Sequence, residues 1–116
     1  MSIEYTLRIK SDKISELNKV LDAPATSTKY GWEMSVDGDV ITFPQATDYF
    51  ARLLERRWAL LSNLGITADD VAIWILYEYE QQCNLEFAPA EMRKLTDIGV
   101  TLCISCWETG SEITLA

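Results

Sequence analysis

Residues 71–79 read VAIWILYEY. Val71, Ile73, Ile75, Tyr77 and Tyr79 fall on one side of an extended chain, and Ala72, Trp74 and Leu76 on the other. A segment apolar on both faces at its start, rich in β-branched and aromatic residues, predicts a strand in the interior of a sheet. Glu78 and Glu80 make its far end wet.

At the N-terminus Ile3, Tyr5, Leu7 and Ile9 alternate with Glu4, Thr6, Arg8 and Lys10, the pattern of a strand with one buried face. Ser11 or Asp12 offers a helix cap. Ile14, Leu17 and Leu21 then recur at helical spacing, and Pro24 disfavours helix before it. Residues 23–31 read as loop. Trp32, Met34 and Val36 alternate again, and Asp37-Gly38 suits a tight hairpin. Val40, Thr42 and Phe43 are the expected return strand, ended by Pro44.

Phe50, Leu53, Leu54, Trp58, Leu61 and Leu64 make one apolar stripe and predict the longest helix, stopped at Gly65. Beyond the central strand, Gln81-Gln82 suggests a bend. Cys83, Leu85 and Phe87 alternate as a further strand. Pro89 opens a helix over 89–98 with Met92 and Leu95 inward and Gly99 as its stop. Residues 100–108 alternate as the last strand.

The order is β-α-β-β-α-β followed by β-α-β. It predicts a single α+β domain over 1–116: a mainly antiparallel sheet with about three helices on one face. The start is a split βαβ (ferredoxin-like) unit, extended by a hairpin, a helix and a strand. A chain of 116 residues can bury one core without staples.

The stretch LCISCW at 102–107 places Cys103 and Cys106 three apart. On a strand that spacing sends them to opposite faces, which argues against a shared metal or a disulfide between them. The three cysteines read as small buried hydrophobes, reduced and without metal. The N-terminus MSIEYTLRIK lacks the apolar core of a signal peptide, and no apolar run approaches a membrane span. The expected setting is cytoplasmic, with no membrane partner.

There is no histidine, which excludes the Ser-His-Asp and Cys-His arrangements and the usual zinc ligand set. No glycine-rich phosphate cradle is present, so no cofactor is expected. The net charge is −8, with Lys and Arg outnumbered 10 to 18. Nucleic-acid binders need a basic footprint, so nucleic acid is an unfavoured partner and a basic protein a favoured one. Solubility alone is the plainer meaning of such a balance.

Carboxylates are the remaining catalytic candidates. Glu78 and Glu80, with Glu86 on a returning strand, could form an acid–base pair. A solvated rim is the commoner role for such residues, and a partner contact the next. Trp58 and Trp74 fit the core stripes. Tyr30, Trp32 and Trp107 stand beside polar or turn residues and read as contact residues, since Trp and Tyr concentrate at binding hot spots. The candidate partner-binding set is thus Tyr30, Trp32, Glu78, Glu80, Glu86 and Trp107. No catalytic set is assigned.

YTLRI, KISELNKVL, the loop from Pro24 to Gly31-Trp32 and the closing NLEFAPAEMRKLTDIGVTLCISCW together resemble a bacterial single-domain family, domain-of-unknown-function family 4279. The likeness runs over residues 3–108 as a pattern of elements. It implies a bacterial source, an α+β fold and no assigned enzymatic activity. The build is also similar to that of toxin-immunity proteins. Three functions follow: a binding protein such as an immunity protein or inhibitor, a small-ligand or sensory domain with a pocket lined by Trp32, Trp74 and Trp107, and a carboxylate enzyme using Glu78 and Glu86.

Overall fold

A computed structural model describes residues 2–110. Strand β1 (Ser2–Ile9), helix α1 (Ile14–Leu21), strand β2 (Trp32–Asp37) and helices α2 (Phe43–Leu54) and α3 (Trp58–Asn63) come first. A 3-10 turn at Ala68–Asp70 then leads into β3 (Val71–Tyr79), followed by α4 (Pro89–Ile98) and β4 (Thr101–Glu108). The four strands form one sheet in the order β2-β1-β3-β4. β1 runs antiparallel to both β2 and β3, whereas β3 and β4 are parallel. The protein is therefore α+β with a mixed sheet. A parallel pair cannot be closed by a tight turn, and α4 supplies the crossover.

Strand β3 is interior, flanked by β1 and β4, as its two apolar faces predict. Tyr5, Leu7 and Ile9 of β1, Trp32 and Met34 of β2, and Val71, Ile73 and Ile75 of β3 are buried. They share one core with Leu17 and Leu21 of α1, Ala46, Phe50, Leu53 and Leu54 of α2, and Leu61 of α3. Leu95 and Ile98 of α4 pack against the same core. Each of the four helices thus contributes to this core. Arg57 ties two of them down: its Nη1 donates to the carbonyls of Leu21 (3.0 Å) and Leu53 (2.9 Å), near the negative ends of α1 and α2.

Three expected elements differ. There is no return strand at 40–43. Thr42 caps a helix instead: its hydroxyl accepts from Gln45 N (3.3 Å), and Gln45 Oε1 accepts from Thr42 N (2.9 Å). Pro44 falls in the first turn, where a missing N–H costs nothing. Gly38 serves close approach: a Cβ there would stand 2.6 Å from the Ile3 side chain.

The expected long helix divides, which raises the count from about three helices to four among the described residues. Arg56 takes a left-handed conformation (φ 61°), turning the chain between α2 and α3. The apolar stripe continues across this break because both pieces face the same core.

Residues 83–87 do not form a strand. Both edges of β3 are already occupied, by β1 and β4, so the returning chain has no ladder to join there. Phe87 docks edge-on against Phe43, with ring centroids 5.3 Å apart.

Candidate functional site

Alternation sends the second set of side chains to the face no helix covers. Register aligns them across the sheet. Glu4 stands opposite Asp37 and Leu76, Thr6 opposite Ser35 and Trp74, and Arg8 opposite Glu33 and Ala72. Trp74 lies beside Cys103, Leu76 beside Ser105, and Glu78 beside Trp107.

The face has two parts. On the β1–β2 side, Arg8 Nε donates to Glu33 Oε1 at 2.9 Å, and the pair is largely buried. The Arg8 guanidinium also lies 4.7 Å from the centre of the Tyr30 ring and 4.5 Å from that of Trp74. A planar cation stacked between two aromatic faces is held rigidly. Thr6 and Ser35 share a hydrogen bond of 2.9 Å beside it.

On the β3–β4 side the surface is Trp74, Leu76, Cys103 and Trp107, all half-buried, with Glu78 among them. Trp107 Nε1 is shielded from solvent and has no hydrogen-bond partner among the described residues. Such orphaned donors are uncommon in native proteins. Among the described strand residues of this face, Glu4, Glu33, Asp37 and Glu78 set four carboxylates against the cation Arg8, with Lys29 at the border 5.3 Å from the Tyr30 ring centre. Arg8 is itself engaged by Glu33.

The six sequence candidates separate. Tyr30, Glu78 and Trp107 belong to this face or its border. Trp32 does not: it is fully buried, and its Nε1 donates to Asn18 Oδ1 at 2.8 Å. Its expected role as a contact residue is corrected to a core one. Gly31 forces this placement, because a Cβ there would meet the Ile9 carbonyl at 2.5 Å (φ 109°). Glu80 and Glu86 are exposed and lie outside the strands, so Glu86 does not face Glu78 across a hairpin. Trp74 was expected in the core. It lies on the open face, and Arg8, which sequence reasoning left as a surface charge, organises its surroundings. The signal was present in the alternation of β1, where Arg8 opposes Leu7 and Ile9.

Cys103 and Cys106 do face opposite ways, aligned with Trp74 and Tyr77 respectively. Cys106 nevertheless has a thiol neighbour. Cys83, from the coil after β3, places its Sγ 3.2 Å from that of Cys106. Desolvation, together with the hydrogen bond and charge of Cys83, pushes the Cys106 thiol up to about 11. Cys106 therefore rests protonated at neutral pH. Among the described residues no cluster of three Cys, Asp or Glu side chains could hold a metal ion.

A separate cleft of about 530 Å³ opens between α2, α3 and α4. Arg52, Arg56, Trp58 and Lys94 line it with Asp48, Glu55 and Asp97, and Lys94 forms an ion pair with Asp48.

Compared with known proteins, the chain matches no family model, no curated protein and no solved structure. Among the described residues no helix is long and apolar enough to cross a membrane.

Proposed function

We propose that this chain is a non-catalytic binding protein, of the immunity-protein or inhibitor kind, that engages a basic protein through the open face of its sheet. The observation that carries the reading is Trp107. The half-buried indole offers part of its ring to a partner, its N–H is not used by the described fold, and Trp is among the residues most enriched at binding hot spots. Trp74 and Leu76 extend its apolar surface, Glu78 lies beside it, and Glu4 and Asp37 continue the negative charge across the sheet toward β2. An apolar aromatic centre with a charged rim is the usual anatomy of a protein interface. The net charge of −8 adds long-range attraction for a basic partner and disfavours nucleic acid. Membership of the domain-of-unknown-function family and a cytoplasmic setting are part of the same proposal, resting on the order of elements and on the N-terminal sequence.

The second reading is a small-ligand domain. It is favoured by the cleft beside α2, where Arg56 holds a left-handed backbone conformation that other residues must enforce. The packed core leaves the earlier expectation of a pocket lined by Trp32 without support, since Trp32 is fully buried among its neighbours.

Affinity capture from a lysate of the source cells, read by mass spectrometry, tests the first reading. The expected result is a basic protein retained at low salt, weakened at high salt and lost with Trp107→Ala. Capture that survives Trp107→Ala, or no capture at all, contradicts it.

A further inference from the structure

We propose that Cys83 and Cys106 are a reversible dithiol–disulfide pair, closed by a low-molecular-weight disulfide of the glutathione class. The two Sγ atoms are 3.2 Å apart, and the residues are separated by 23 positions of sequence. An S–S bond of about 2.05 Å requires the sulfurs to approach by little more than an ångström. The surroundings allow that movement. Cys83 lies in coil between Tyr79 and Pro89, with no ladder to break, and Cys106 lies on β4, the terminal strand of the sheet.

Cys103 is excluded from the reaction by the period of the strand. It aligns with Trp74 on the open face, whereas Cys106 aligns with Tyr77 on the helix side. The chain thus holds one pair and one bystander thiol.

The exchange balances in two steps. Cys106, the exposed member, attacks through the small fraction that has lost its proton to solvent, on one sulfur of the small disulfide, so closure quickens as pH rises. That S–S bond breaks, a mixed disulfide forms on Cys106, and the first small thiol leaves. Cys83 then attacks the Cys106 sulfur as its thiolate and expels the second small thiol. Two protein thiols are oxidised to one disulfide and one small disulfide is reduced to two thiols. The two protons lost by the protein are taken up by the released thiols.

Closure joins the coil after β3 to the strand that carries Trp107, around the whole of α4. It constrains the unfolded chain and thereby raises resistance to heat. The pair stands on geometry alone and is independent of the binding reading.

The test equilibrates the full chain in glutathione buffers of increasing oxidised fraction, then alkylates free thiols and maps peptides without reduction. The expected product is an intramolecular Cys83–Cys106 linkage in which two of the three thiols become unreactive while Cys103 stays alkylatable. Dithiothreitol restores all three, and the oxidised form melts at a higher temperature than the reduced form. A linkage involving Cys103, a disulfide between two chains, or persistent glutathione on Cys106 with Cys83 free would overturn the proposal. Wild-type mapping decides the matter without a variant. Cys83→Ser, whose site is in coil, serves as a control and should leave a stable mixed disulfide on Cys106.

Discussion

The two outer strands of the sheet, β2 and β4, meet opposite fates. β2 is stitched along its free edge. Thr26 N donates to the Glu33 carbonyl (2.7 Å), Glu33 N to the Ser27 carbonyl (3.1 Å), and Ser35 N to the Thr26 hydroxyl (2.9 Å). Its first three residues are buried. Among the described residues nothing pairs with the outer edge of β4, and Thr101, Ile104, Cys106 and Glu108 of that strand are exposed. Each strand carries a tryptophan. Trp32 has its N–H answered by Asn18 within the chain, and Trp107 has no answer. A side chain whose hydrogen bond closes internally belongs to the fold. The shielded, unanswered N–H of Trp107 is hydrogen-bonding capacity that the described fold does not use.

The sharpest way to break this contrast is to truncate both indoles. Trp32→Ala empties the core and leaves Asn18 Oδ1 with only the Ala25 N–H, and should lower unfolding free energy by about 3–5 kcal/mol in urea titrations. Trp107→Ala removes a half-buried ring together with its unsatisfied donor, and should cost roughly 1 kcal/mol. Equal losses would erase the distinction.

A smaller effect is expected from Thr26→Val. It deletes the acceptor of Ser35 N and the donor to the Glu33 carbonyl. Stability should fall by about 1 kcal/mol, with faster hydrogen exchange at the Ser35 amide. An unchanged exchange rate would mean that the stitching does not guard the β2 edge.

The smallest effect on stability belongs to Glu78→Gln, within roughly 0.5 kcal/mol, because charge on a partly solvated face contributes little to folding. Its expected signature is kinetic: slower association with the basic partner at low salt, converging with wild type as salt rises. Stopped-flow mixing at two salt concentrations reads both, and equal low-salt rates would remove Glu78 from the interface.

How much of this was legible before the structure depends on how far each signal reaches. The period-two segments at Ile3–Ile9, Trp32–Val36, Val71–Tyr79 and Val100–Glu108 all became strands, since alternation is a property of the segment itself. Cys83–Phe87 alternates too, yet forms none. Strand formation needs a free neighbour, which no local pattern reports. Asp37-Gly38 resembled a hairpin turn. The stronger cue lay just after it, in Thr42-Phe43-Pro44-Gln45, a capping box with proline in the first turn. The break at Arg56 has neither Gly nor Pro to announce it.

The site was half legible. Aromatic and acidic character single out Trp107 and Glu78 in the sequence, and strand register brings them side by side. Trp32 was chosen on the same grounds and is buried, because Gly31 lets the chain approach Ile9 closely enough to turn the ring inward. Arg8 between Tyr30 and Trp74, and Cys83 against Cys106, are long-range meetings that spacing cannot encode.

The most direct test of the open face uses the four indole N–H signals as local reporters. The ¹⁵N-labelled chain is titrated with the basic protein recovered by capture, and each indole resonance is followed by NMR. The account predicts that Trp107 shifts most and Trp74 shifts with it, while Trp32, bonded to Asn18, stays in place. A titration in which Trp58 alone moves would place binding in the cleft beside α2 and contradict the account.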